Sequence, residues 1–245
     1  MAFKETALCF LFPRRCRYCG EVIDLRRELC NTCRPDDCRI TGTICPRCGC
    51  EKAACNCRPG KPFYERVAAP FYYEGAAEKA LLRLKFGKRP EAADVLGEEM
   101  ARCLRERYDG YSFDVCTYVP MTKKGVRQRG FNQSELLARA VAEQANIPVK
   151  VLLQKDYETP DQHRLHAIDR TGNLLGVFSV PERETAALQN ARVLLIDDIK
   201  TSGATLNECA KTLLIAGAAE VFCLTAAVTQ LRRGLDAPDN ADQKE

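Results

Sequence analysis

The stretch Val193, Leu194, Leu195, Ile196, Asp197, Asp198, Ile199, Lys200, Thr201, Ser202, Gly203, Ala204, Thr205 leaves this chain few choices of fold. Four consecutive apolar residues suit a strand buried on both faces. Two carboxylates sit at its carboxyl end, and a turn of small residues leads into an amphipathic run. Strand, tight turn and helix in that order build a cradle for phosphate. The turn offers several backbone N–H groups and three hydroxyls, and the helix adds the positive end of its dipole. Asp197 and Asp198 fall where the hydroxyls of a sugar joined to that phosphate would lie, or where a Mg²⁺ could sit. A ribose 5-phosphate fits this chemistry, with Asp197, Asp198, Lys200, Thr201, Ser202, Gly203, Ala204 and Thr205 as its candidate contacts.

The cysteines point to a second, smaller unit. Eleven of the fifteen lie within residues 1–57, and the other four (Cys103, Cys116, Cys209, Cys223) stand among apolar neighbours as small buried hydrophobes. Cys16-x-x-Cys19 and Cys30-x-x-Cys33 form one pair of knuckles; Cys45-x-x-Cys48 repeats the pattern and Cys55-x-Cys57 closes a second set. Two thiolates three residues apart on a tight turn share a tetrahedral ion, and two such turns complete it. Cys50 is an alternative ligand in the second set, and Cys9 and Cys38 have no assigned role. A disulfide framework suits a secreted chain, and nothing here signals secretion. The segment is too small and polar for a core of its own, so structural zinc supplies its folding free energy. Residues 1–60 carry 11 Lys/Arg against 7 Asp/Glu, an excess of four that two Zn(Cys)₄ centres at −2 each would cancel. That weakens the case for a bare nucleic-acid-binding arm, as does the absence of Trp.

The remainder reads as one α/β domain over residues 61–234, with a polar tail, 235–245, expected to be disordered. Strands are expected at Val67–Tyr73, Phe113–Val119, Val149–Leu153, Leu188–Ile196 and Val221–Val228. Helices are expected at Gly75–Phe86, from Pro90 to about Tyr108, after Asn132, and over Leu206–Ala216. Asn132 reads as an N-cap with Glu135 completing a capping box. The loop before it carries Lys123, Lys124, Arg127 and Arg129. It leaves the carboxyl end of a parallel strand, where open α/β sheets bind ligands, and cations there suit a diphosphate. A long polar segment, roughly 155–178, contains both histidines, His163 and His166, and reads as a lid. No apolar run approaches the ~20 residues that span a bilayer, so no membrane insertion and a cytoplasmic location are expected.

The acidic segment resembles the phosphoribosyl-diphosphate (PRPP) signature of type I phosphoribosyltransferases at every position. The chain as a whole resembles the ComF family, competence-associated proteins with a phosphoribosyltransferase domain. The likeness is carried by the paired ribbon cysteines and by Tyr73-Glu-Gly75, Leu84-Lys-Phe86, Arg129-Gly-Phe-Asn-Gln133, Thr159-Pro-x-Gln162, Arg170-x-x-Asn173-x-x-Gly176-x-Phe178 and the acidic signature. Where the family has Thr-Pro-Pro-Gln, this chain has Asp161 at the third place. The resemblance implies a type I phosphoribosyltransferase fold, a parallel sheet flanked by helices, behind a double zinc ribbon. It also implies Mg²⁺-dependent PRPP binding in bacteria and a link to natural transformation.

Two functions compete. The first is phosphoribosyl transfer to an unknown acceptor, a nucleobase or another group. Asp197 and Asp198 hold the ribose, Lys123, Arg127 and Arg129 neutralise the leaving diphosphate, and Thr159, Pro160, Gln162, Arg170 and Asn173 belong to the lid. The second is a non-catalytic PRPP sensor or adaptor whose ribbon docks single-stranded DNA or a DNA-processing protein such as a helicase.

Overall fold

The computed structural model describes residues 13–57, 60–87, 90–155 and 176–230. Its centre is a parallel sheet formed by β1 (Arg66–Ala68), β2 (Phe71–Tyr72), β3 (Val115–Tyr118), β6 (Arg192–Lys200) and β7 (Glu220–Val228), with β7 between β1/β2 and β6, and β6 beside β3. A separate antiparallel pair, β4 (Gln154–Lys155) and β5 (Phe178–Ser179), joins Gln154 to Ser179 and Lys155 to Phe178. β6 and β7 are almost wholly buried because helices cover both faces, hence their continuous apolar runs.

On one face, α1 (Gly75–Phe86), α2 (Ala92–Arg107) and α4 (Gln133–Ala145) pack Leu81, Leu96 and Leu137 against Leu194, Ile196 and Leu224. The opposite face takes α6 (Ala204–Ile215), whose Leu206, Cys209 and Leu213 meet Val193, Leu195 and Cys223. α2 and α4 cross closely: a Cβ on Gly97 would stand 2.4 Å from that of Ala140. The short helices α3 (Lys123–Arg129) and α5 (Thr185–Leu188) complete the set.

The chain leaves β3 for α4 on one face and leaves the neighbouring β6 for α6 on the other. That divergence opens a crevice at the carboxyl ends of the two strands, where doubly wound sheets hold ligands.

The Cys-rich segment is built onto the sheet edge. β1 and β2 are one strand in register, since Arg66 pairs with Phe222 and Phe71 with Ala227 at the same offset. Pro70, with no N–H to give, separates them. Ile40 N donates to Pro70 O at 2.9 Å, Arg39 bridges Phe71 antiparallel, and Val67 N donates to Pro46 O at 2.8 Å. Arg39 also donates to Glu99 of α2 at 2.8 and 3.1 Å, so the exposed edge is closed by a charged clasp.

Several sequence expectations need correction. α1 has the expected limits, but the acidic strand runs over Arg192–Lys200, because the parallel ladder continues through Asp197–Thr225, Ile199–Ala227 and Lys200–Val228. Residues 149–153 form no regular strand: after one bridge between Val149 and Cys116, the Thr117 hydroxyl takes Leu152 N at 3.3 Å and draws the backbone off the ladder. The cationic loop is partly helical. Thr122 caps α3 by accepting from Gly125 N, and Gly130, at φ 93°, ends it. Asn132 does cap α4, accepting from Ser134 N at 3.0 Å, but Glu135 turns away to Arg139 at 2.7 Å instead of closing a capping box.

Candidate functional site

Asp197 and Asp198 stand near the end of β6 and are only 9% and 6% exposed. Two helices and the backbone of β6 itself converge on them. Ser134 Oγ, in the first turn of α4, donates to Asp197 Oδ1 at 2.9 Å, and Asp198 N donates to the same oxygen at 2.9 Å. Gln133 Nε2 donates to Asp198 Oδ2 at 2.9 Å, and Lys85 Nζ, from the last turn of α1, pairs with that oxygen at 2.9 Å. Ile199 N donates to Asp198 Oδ1 at 2.7 Å.

Burial and the adjacent Asp198 charge push the Asp197 carboxyl up to about 7, against the pull of its hydrogen bonds and of Lys85. The pair is a partly protonated oxygen cluster at neutral pH, suited to accept sugar hydroxyls or to share a hard cation.

The turn that follows is open to solvent at Thr201 and Ser202. Gly203, at φ 84°, is the N-cap of α6, and Ser202 Oγ accepts from Ala204 N at 3.3 Å. A Cβ on Gly203 would meet Lys200 Cε at 3.1 Å and the Tyr64 hydroxyl at 3.3 Å. The turn is therefore shaped by a close approach from below as well as by its positive φ. Lys200 itself is buried at 4% exposure.

Of the four cations before α4, Lys123 and Lys124 line an open cavity of about 640 Å³ between α3 and β4, with Thr122, Asn132, Gln154 and Lys155. Arg127 and Arg129 are not among its lining residues. Arg129 instead donates to Gln133 Oε1 at 2.7 Å and stands 5.9 Å from the exposed Phe86 ring, which ties it to the aspartates through Gln133. The lid residues Thr159, Pro160, Gln162, Arg170 and Asn173, and both histidines, lie outside the described residues.

Lys85, Gln133 and Ser134 were not expected at the acidic pair from the sequence. The first two stand inside the Leu84-Lys-Phe86 and Arg129-to-Gln133 motifs, and that was the signal available.

The cysteines gather as two groups of four, Cys16/Cys19/Cys30/Cys33 and Cys45/Cys48/Cys55/Cys57, each with sulfurs within 4.8 Å of one another. The separations Cys19–Cys30 (3.6 Å), Cys45–Cys57 (3.8 Å) and Cys48–Cys55 (3.8 Å) are far too long for a disulfide. They match the edge of a tetrahedron with ~2.3 Å Zn–S bonds, about 3.8 Å. Gly20 (φ 79°) and Gly49 (φ 77°) make the turns after the first and third knuckles, donating to Cys16 O and Cys45 O at 2.9 Å. Both groups could hold zinc. Cys50 lies outside the second group, and Cys38 donates to Pro35 O.

Comparison with known proteins agrees with this architecture. Residues 131–244 match the family model described as "Phosphoribosyl transferase domain". The DNA utilization protein YhgH of Salmonella typhimurium is 30% identical over 193 residues, 74% of this chain and 83% of that protein. Competence protein ComFC of Bacillus subtilis is 27% identical over 202 residues, 78% of this chain and 80% of the relative. Competence protein F of Haemophilus influenzae is 26% identical over 220 residues, covering 86% and 95%. No described helix is long and apolar enough to cross a membrane. With its phosphoribosyltransferase domain, its parallel sheet and its two four-cysteine groups, the chain belongs to the ComF family of competence and DNA-utilization proteins.

Proposed function

We propose that the chain binds PRPP with Mg²⁺ in the crevice between β3 and β6 and transfers its phosphoribosyl group to an acceptor. The observation that carries this reading is the placement of Asp197 and Asp198 directly before the turn Thr201–Thr205, with cationic α3 leaving the adjacent strand. The aspartates accept the ribose hydroxyls, and the turn and the start of α6 take the 5-phosphate through backbone N–H groups. Lys123 and Lys124 line the cavity next to α3 and attract the diphosphate. Bound Mg²⁺ would supply charge neutralisation at that leaving group, and the oxygen-rich donor set suits it. Arg129 holds Gln133, which holds Asp198, so its part is to orient the acid. Most of the rate enhancement then comes from positioning and fixed charge.

Each four-cysteine group holds a structural zinc that fastens residues 13–57 to the sheet edge; four thiolates leave no position for water. The names of the relatives connect the activity to DNA uptake or use, with DNA or a DNA-processing protein as partner.

A sensing role is the second reading. It is favoured by the fact that both Asp198 oxygens are already engaged by Lys85, Gln133 and Ile199 N. Calorimetry with Mg²⁺ and PRPP, followed by an assay of diphosphate release with and without candidate acceptors, separates the two. Acceptor-dependent release supports transfer, binding without release supports sensing, and no binding removes both.

A further inference from the structure

A buried ammonium lies beneath the turn, with no acidic side chain paired to it among the described residues. Lys200 closes β6, and among the described residues its Nζ makes one hydrogen bond, to the neutral Thr201 O at 3.3 Å. A cation removed from water to that degree needs a negative partner. No ion pair joins Lys200 to a carboxylate among the described residues.

The turn of the second cysteine group reaches Lys200 through Tyr64 and through Thr229. Lys200 Cε and the Tyr64 hydroxyl meet below Gly203, at 3.1 and 3.3 Å from the place of its Cβ. Tyr64 is itself buried and donates to Arg47 O at 2.8 Å, and Arg47 stands between the ligand candidates Cys45 and Cys48. A second path runs through β7: Thr229 N donates to Lys200 O at 3.0 Å, and Cys50 Sγ approaches Thr229 O at 3.9 Å. Gly49 packs against Val228 and Val67, so the knuckle is seated at the carboxyl edge of the sheet. Four thiolates around Zn²⁺ carry a net −2, which is the counter-charge Lys200 lacks.

We infer that Lys200 is the counter-ion of the Cys45/Cys48/Cys55/Cys57 metal centre, and that through it the centre braces the turn Thr201–Thr205 from below. Lys200 is then a positioning residue: its ammonium faces the metal site, and only its backbone belongs to the phosphate cradle. The idea rests on the zinc and phosphate readings given above, and it gives the ribbon a part in shaping the ligand site. An occupied metal site and an ordered phosphate turn support each other.

The test uses the full-length, zinc-loaded protein. Zinc release to a chromogenic chelator is followed in wild type, Lys200→Met and Lys200→Arg, and PRPP binding with Mg²⁺ is measured by calorimetry. Loss of a residue supporting the ligands of a metal typically weakens the site ~10–100-fold. One of two zinc ions should therefore leave Lys200→Met about that much faster, the other at the wild-type rate, while Lys200→Arg retains slow release. PRPP affinity should fall in Lys200→Met alone. Unchanged zinc release overturns the inference, whether PRPP binding is weakened (a direct phosphate ligand) or not (a structural lysine). Should Lys200→Met fail to fold, linkage in the wild type decides, because coupling between two sites is reciprocal. PRPP must then slow release of one zinc; binding that leaves both release rates unaltered overturns it. A wild type that binds no PRPP counts against the proposed function, and the zinc-release comparison between the lysine variants still judges Lys200.

Discussion

Lys85 places its ammonium 2.9 Å from Asp198 Oδ2, so the last turn of α1 supplies the positive charge at an acidic pair carried by β6. The two residues are 113 positions apart in sequence, and their ion pair pins the first helix of the domain over the crevice. Lys85 is only partly exposed, so the pair is screened less than a surface bridge. Replacing Lys85 by Met leaves a carboxylate buried with Gln133 as its remaining side-chain donor. We expect a loss of about 1–3 kcal/mol in stability, below the 3–5 kcal/mol of a fully buried broken pair. Urea denaturation checks it: an unchanged midpoint would show that the charge at Asp198 is satisfied without α1.

Asp197 gives the protein a characteristic response to pH. Its carboxyl sits at about 7 in the folded chain, against an ordinary 3.8, because burial and Asp198 resist its ionisation. The folded state therefore keeps a proton that the unfolded chain has released. Stability from this group is complete below pH ~4 and declines as pH rises toward 7, by at most about 4 kcal/mol. Asp197→Asn cannot ionise, so its stability should stay flatter between pH 5 and 8, and it should exceed wild type by most at the alkaline end. Thermal melts across that range, without ligand, measure this directly. A parallel decline in both proteins would mean that Asp197 is already ionised at pH 5.

Much of this arrangement was legible in the sequence because its determinants are local. The span of α1 follows from the apolar stripe Ala77, Ala80, Leu81 and Leu84, and the turn after Lys200 from its own small residues. The misreadings arose where a distant or side-chain partner decides. Thr117 captures Leu152 N, so the apolar run 149–153 never becomes a strand despite its composition. Arg139, one turn away, competes for Glu135 and leaves the capping box open. The Thr122 and Gly130 caps of α3 were readable, but seven residues with no buried side chain give no periodic signal. Lys85 carried no mark beyond its place in Leu84-Lys-Phe86, since a lysine in the last turn of a helix is commonplace. It meets Asp198 only because the fold brings α1 to β6.

The two cysteine groups predict a stoichiometry. Elemental analysis of the purified chain should give two zinc ions, and Cys16→Ser or Cys48→Ser should each lower the figure by one. Cys38→Ser should leave it at two, because Cys38 is buried away from both groups and donates to Pro35 O. A segment this small is expected to draw its folding free energy from the metal, so chelation should release the clasp between Arg39 and Glu99. Protease sensitivity confined to residues 13–57 would report that release.

Gly203 and Gly130 offer a controlled comparison of two ways in which a glycine can be required. Both have positive φ, 84° and 93°, so alanine at either position costs roughly 1–2 kcal/mol in backbone strain. Beyond that their surroundings differ. Nothing lies within 4 Å of the place where a Gly130 Cβ would stand, whereas at Gly203 the new methyl meets Lys200 Cε at 3.1 Å and the Tyr64 hydroxyl at 3.3 Å. Neither neighbour has room to retreat, since Lys200 and Tyr64 are both buried and Tyr64 is bonded to Arg47 O. Gly203→Ala should therefore cost ~1 kcal/mol or more beyond Gly130→Ala in chemical denaturation. It should also weaken PRPP binding, because the turn that would carry the phosphate has to lift away from β6. Gly130→Ala, which changes only the end of α3, should leave the acidic pair and the turn intact. Equal losses from the two substitutions would mean that the space under the turn is slack and that the contact with Lys200 does not shape it.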